Sequence, residues 1–122
     1  DKRRPRPNSS EVMNLIGDVK GKDAVIVDDI VDTAGTLASG AAALKKMGAR
    51  RVFAYAVHPI LSGPAITRIN ESVLEEAVFT DTVPLSKPAA ACPKIRVVPT
   101  ERLFGEAIAR IYRAESLSSL FV

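Results

Sequence analysis

Short, nearly continuous apolar runs alternate along the chain with stretches in which apolar residues recur at helical spacing. Ala24-Val-Ile-Val-Asp28 is rich in β-branched residues, the pattern of a strand buried on both faces, as in a parallel sheet. From Thr36 to Met47, apolar or small residues fall at Leu37, Ala41, Leu44 and Met47, a spacing that predicts a helix. Lys45 and Lys46 lie in its last turn, where the helix dipole favours cations, and Gly48 is placed to cap it. Val52 to Val57 predicts the next buried strand, so the three segments form a right-handed βαβ unit.

The pattern continues with Ser62-Gly-Pro-Ala, which opens a second helix through about Asn70, with Ser62 as its N-cap and Pro64 in the first turn. Ala77 to Thr80 and Ile95 to Val98 read as further strands. Pro84 to Pro93, with three prolines, reads as a surface loop. Thr100 to Arg113 carries apolar residues at Leu103, Phe104, Ala107, Ile108 and Ile111 and predicts the last helix. Before the first buried strand, Val12 to Val19 reads as an edge strand, and residues 1 to 10 as a loop or unanchored end without periodicity. The class is α/β, one domain with a mostly parallel sheet flanked by helices.

Composition narrows the ligand. The 122 residues carry a formal net charge of +3, but Lys2, Arg3, Arg4 and Arg6 supply it, and without the first six residues basic and acidic side chains are equal in number. A nucleic-acid groove spreads positive charge over the fold; one short basic arm favours a small anionic ligand. No apolar run approaches the roughly 20 residues of a membrane helix. Cys92 is the one cysteine, so no internal disulfide or multi-cysteine metal site exists, and a reducing, cytoplasmic setting fits. The basic start, without Met and without a following apolar region, is not a signal peptide and reads as that of a fragment or a processed chain.

The candidate chemistry lies just after the first buried strand. Asp28 and Asp29 sit at its carboxyl end, where open α/β sheets bind their ligands. A single such Asp is often only a helix cap, but two adjacent carboxylates repel unless something cationic or hydroxylated meets them. Sugar diols and hydrated Mg²⁺ suit them. Asp32-Thr-Ala-Gly-Thr36 then runs into a helix. Gly35 permits close backbone approach, the helix start presents N–H groups, and Thr33 and Thr36 add hydroxyls. Carboxylates for a diol and a turn for a phosphate together make a sugar-phosphate site.

Val27-Asp-Asp-Ile-Val-Asp-Thr-Ala-Gly-Thr36 resembles the phosphoribosyl-binding signature of the type I phosphoribosyltransferase superfamily. The flanks resemble one branch of it, the ribose-phosphate pyrophosphokinases (PRPP synthetases): the basic arm, Glu11-Val-Met-Asn-Leu-Ile-Gly-Asp18, His58-Pro-Ile-Leu-Ser-Gly-Pro-Ala65, Thr80-Asp-Thr-Val-Pro-Leu85 and Ser116-Leu-Ser-Ser-Leu-Phe121 occur in the expected order. The resemblance covers essentially the whole chain. It implies a type I phosphoribosyltransferase fold and the Mg²⁺-dependent transfer of the diphosphoryl group of ATP to the anomeric hydroxyl of ribose 5-phosphate.

By position, the resemblance implies that Asp28 and Asp29 hold the ribose hydroxyls and help organise Mg²⁺ through water or substrate. It implies that Asp32, Thr33, Ala34, Gly35 and Thr36 bind the 5-phosphate. Lys2 and Arg4 become the catalytic cations of a flexible arm, residues 1–10, that closes over the migrating diphosphate; taken alone the arm is a solvated charge run. Phosphoryl transfer asks for such cations, because positioning and charge neutralisation do most of the work. Ser116, Ser118 and Phe121 match a segment contributing to an allosteric anion site for phosphate and ADP, although Leu117 and Ser119 stand where Val and Tyr are familiar. This chain matches the second of the family's two similar domains. The ATP-binding residues belong to the first, which has no counterpart here, so the isolated chain is expected to bind ribose 5-phosphate without making PRPP. A homo-oligomer, hexameric in the family, is implied. A nucleobase phosphoribosyltransferase and a non-catalytic regulatory paralogue are the alternatives. His58 reads as a hydrogen-bonded loop histidine, and Asp81 as merely near the ligand edge.

Overall fold

The computed structural model describes residues 17–121 and, as backbone, two short strands, β1 (Lys2–Arg3) and β2 (Glu11–Val12). These two pair antiparallel, Lys2 opposite Val12 and Arg3 opposite Glu11. The edge strand expected over residues 12–19 is therefore described only at its start, and residues 17–19 are not strand. Arg4 and Arg6 lie outside the described residues, and Lys2 and Arg3 are placed by backbone alone.

The remaining elements run β3 (Asp23–Val31), α1 (Gly35–Lys46), β4 (Arg51–Pro59), α2 (Ala65–Glu71), β5 (Leu74–Thr80), α3 (Lys87–Ala91), β6 (Ile95–Val98) and α4 (Glu101–Tyr112), followed by a 3-10 turn at Ser118–Phe121. β3 to β6 form one sheet in the order of the chain, every neighbouring pair parallel. The α/β class and the parallel sheet expected from the apolar runs are what the chain adopts. α1 ends as its composition predicts: Gly48, at φ 96°, takes the left-handed conformation, and its N–H and that of Ala49 bond back to Lys45 and Leu44.

Burial follows from this topology. Crossovers between parallel strands are right-handed, so strands added in sequence order bring every connecting helix to the same face. The core lies on that face: Leu37 and Ala41 of α1, Val52, Ala54 and Ala56 of β4, Ala65 and Ile69 of α2, Leu74, Ala77 and Phe79 of β5, and Ala89 of α3. The alternate residues point the other way. Val27 is 77% exposed, and Val25, Tyr55 and Val57 are exposed with it. The expectation that β3 and β4 are buried on both faces is corrected: their second face is largely exposed, although Val78 of β5, on that side, is buried.

Two further boundaries differ from expectation. Pro84 to Pro93 is not wholly loop, because Ser86 accepts a hydrogen bond from the Ala89 N–H and Pro88 sits in the first turn, which starts the short helix α3. The last helix forms as expected, but none of its residues is buried, and Leu103, Phe104, Ile108 and Ile111 stay exposed. Its start is fixed to the end of β5 through Thr100, whose backbone N–H donates to Asp81 at 3.0 Å.

Candidate functional site

β3 continues past the apolar run to Val31, so Asp28 and Asp29 lie within the strand, not just beyond it. Asp28 stands opposite Ala56 of β4, and its carboxylate accepts the Asp29 N–H at 2.9 Å. The chain then turns through Asp32, Thr33 and Ala34 into α1. Asp28 to Leu37, ten successive residues, line a cleft of about 280 Å³. All seven residues expected to bind the sugar phosphate, Asp28, Asp29, Asp32, Thr33, Ala34, Gly35 and Thr36, are brought together in it.

The helix start in this cleft has neither a side-chain cap nor an acidic first turn. Ala34, the residue before α1, has φ 59° and ψ 13°. A left-handed non-glycine residue costs about 1–2 kcal/mol; here the Ala34 methyl is buried in the core, which holds the conformation. The first N–H groups of the helix and the positive end of its dipole therefore face the cleft without a competing carboxylate in that turn.

Two residues that sequence reasoning did not assign to the site reach this loop, Ser62 from the segment between β4 and α2 and Arg68 from α2 itself. Ser62 was expected to cap α2. Its hydroxyl instead donates to the Asp32 carboxylate, and α2 starts after Pro64. Arg68 donates from Nη1 to the Thr33 carbonyl at 3.0 Å. Leu61, just before Ser62, is a second buried left-handed residue, at φ 52°. Ser62 carried a local signal that pointed to the wrong partner. Arg68 carried none.

The other sequence candidates lie apart from the cleft. His58 belongs to β4, not to a loop, and its Nδ1 lies 2.9 Å from Thr82 Oγ1, as a hydrogen-bonded histidine. Asp81 accepts from the Thr100 hydroxyl and backbone N–H, and these bonds hold its carboxyl below the usual range. Ser116 and Ser118 bond to each other, with 3.0 Å between the hydroxyls, and Arg110 of α4 donates to the Ser116 carbonyl. Phe121 is 82% exposed. Lys2 is described only as strand backbone, and Arg4 lies outside the described residues. Among the described residues, no group of three or more His, Cys, Asp or Glu side chains is arranged to hold a metal ion, and no helix is long and apolar enough to cross a membrane.

Comparison with known proteins bears on the chain as a whole. The family model for the phosphoribosyl synthetase-associated domain matches residues 4–122. The chain belongs to that family. It is 60% identical over 122 residues to a ribose-phosphate pyrophosphokinase of Xanthomonas campestris pv. campestris, covering all of this chain and 38% of that protein. A ribose-phosphate pyrophosphokinase of Bordetella pertussis is 60% identical over 121 residues, 99% of this chain and 39% of its own length. The crystal structure of phosphoribosylpyrophosphate synthetase from Mycobacterium smegmatis matches with a TM-score of 0.78 at 32% identity, covering 87% of this chain and 34% of that one. The chain thus spans well under half the length of the relatives it matches.

Proposed function

We propose that this chain supplies the ribose 5-phosphate half of a ribose-phosphate diphosphokinase site. The observation that carries the reading is the single cleft in which two adjacent carboxylates meet an uncapped helix start. Asp28 and Asp29 accept hydrogen bonds from the ribose hydroxyls, and residues 32–36 take the 5-phosphate on backbone N–H groups and the hydroxyls of Thr33 and Thr36. In the reaction the anomeric oxygen attacks the β-phosphorus of ATP, the bond from that phosphorus to the α–β bridging oxygen breaks, AMP leaves, and the anomeric hydroxyl loses its proton.

Mg²⁺ suits this donor set. It binds through one or two carboxylates, completing its shell with water and phosphate oxygens, which fits an acid pair without a third protein ligand. The ion's chemistry is to neutralise charge on the transferring group. Lys2 and Arg4, on the basic arm of residues 1–10, add positive charge to the same group. The ATP-binding residues come from the part of the relatives' length that lies outside this chain, and the working enzyme is a cytoplasmic homo-oligomer. Ser116, Ser118 and Phe121 contribute to a regulatory anion site that answers to phosphate and ADP.

A chimera tests the reading: this chain joined to the remaining length of the Xanthomonas campestris relative, assayed with ATP, Mg²⁺ and ribose 5-phosphate. The expected products are PRPP and AMP. Asp29→Asn in the chimera lowers kcat/KM for ribose 5-phosphate by about ten- to a hundredfold, the effect of one or two charge-assisted hydrogen bonds. A folded chimera that consumes no ATP with ribose 5-phosphate, or an unaffected Asp29→Asn variant, overturns the assignment.

A further inference from the structure

We propose that Arg68 and Ser62 are positioning residues that aim the backbone of the phosphate loop, a role that rests on the reading of residues 32–36 as the 5-phosphate cradle. Three successive carbonyls of the loop accept hydrogen bonds from one segment. Val31 O accepts the N–H groups of Ile60 and Leu61, both at 3.1 Å. Asp32 O accepts the Ser62 N–H at 2.9 Å. Thr33 O accepts Arg68 Nη1 at 3.0 Å.

In a planar trans peptide the C=O and the following N–H point in opposite directions. Holding the carbonyls of Val31, Asp32 and Thr33 toward residues 60–68 therefore turns the N–H groups of Asp32, Thr33 and Ala34 away from that segment. The cleft lined by Asp28 to Leu37 includes no residue of 60–68. Among the described residues, none of these three N–H groups donates to a backbone carbonyl outside the strand ladder. Successive N–H groups converging beside a left-handed residue, here Ala34, form an anion-binding concavity.

The two side chains divide the work. Ser62 Oγ donates to the Asp32 carboxylate and ties that negative charge to the β4–α2 segment, where it does not compete with phosphate. Arg68 fixes the third peptide plane. Its Nη1 also packs against Gly35, lying 3.2 Å from where a Cβ on that residue would sit, so its positive charge stands beside the loop. Arg68 is exposed and touches the loop through a carbonyl, which makes it a positioning residue and not a ligand.

The test uses the 122-residue chain with Arg68→Gln, Arg68→Lys and Ser62→Ala. Amide hydrogen exchange is followed at residues 32–37, and binding of ribose 5-phosphate is compared with binding of ribose. With ribose 5-phosphate bound, Arg68→Gln is expected to lose protection from exchange at Thr33 and Ala34 and to weaken ribose 5-phosphate by about tenfold, one charge-assisted hydrogen bond's worth, with ribose affinity and Tm unchanged. Arg68→Lys, which keeps a charged donor, recovers part of the loss, and Ser62→Ala gives a smaller loss of the same kind. Equal weakening of both ligands, or unchanged exchange and affinity in Arg68→Gln, overturns the positioning role. Failure of the unmodified chain to prefer ribose 5-phosphate over ribose overturns the phosphate reading itself, and the positioning role for phosphate with it. That outcome is seen before any variant is made.

Discussion

Along β4, Val52, Ala54 and Ala56 lie buried beneath the helices, while Tyr55 and Val57, interleaved with them, stay exposed. On β3, Val25 and Val27 share the exposed side. Both faces are built from apolar residues, yet the strand order sends every crossover helix to one of them. The candidate site takes its geometry from the covered face: Ala34 and Leu61, the two left-handed residues at the loop, are both anchored in that core. Stability and site geometry thus share one set of contacts, and the bare face contributes little to either.

The sharpest way to break this comparison is to truncate one residue on each side. Phe79 is 1% exposed in the covered core, and Phe79→Ala is expected to cost about 3–5 kcal/mol through lost burial and the cavity left behind. Val27→Ala, at a largely exposed position, is expected to stay within about 0.5 kcal/mol. Urea denaturation of the two variants measures both. Similar losses at the two positions would mean that the bare face carries stability after all.

The division between faces was not legible in the sequence. A β-branched run such as Ala24 to Val27 reads as doubly buried whether or not anything covers its second side. The parallel sheet was legible, because strand-like and helix-like periodicities alternate in lengths suited to βαβ units. Strand ends were less so: the apolar run stops at Val27, whereas the backbone ladder carries Asp28 and Asp29 on to Val31. The acid pair and the Asp32–Thr36 turn were found because their chemistry is contiguous along the chain. Arg68 was not, since the carbonyl it meets lies 35 residues away and a backbone acceptor leaves no mark on a sequence. Ser62 followed by Gly-Pro carried a real capping signal, but α2 starts only after Pro64, and the Ser62 hydroxyl donates to the Asp32 carboxylate.

A smaller effect separates the site from the core that supports it. Gly35 opens α1, and the one tight contact a Cβ there would make is with the flexible end of Arg68, at 3.2 Å, Thr33 Oγ1 lying at 4.0 Å. Gly35→Ala is therefore expected to leave stability within about 0.5 kcal/mol, or raise it slightly by restricting the unfolded chain. It should still weaken ribose 5-phosphate binding, because the displaced guanidinium releases the Thr33 carbonyl. Thermal melts and a binding titration on the same variant read the two quantities. Loss of stability without loss of affinity would place Gly35 in the core's service and not the site's.

The smallest expected effect lies at the amino end of the sheet, away from the cleft. Asp23 opens β3 and takes hydrogen bonds from the side chains of Arg50 and Arg51, which hold its carboxyl far below the usual carboxylate range. A carboxyl depressed in the folded state contributes stability that is present above the unfolded pKa of about 4 and lost as pH falls below it toward the folded value. The three side chains are solvent-exposed in part, so the contribution is modest and screened by salt. Asp23→Asn is expected to lower the urea midpoint slightly at pH 6, with the gap to the unmodified chain closing as pH falls from about 4, and narrowing in high salt at fixed pH. Ribose 5-phosphate affinity at pH 7 should not change. A gap that persisted unaltered into acid would show that the Asn variant disturbs strand pairing at Asp23 and Arg51, and not the charge between them.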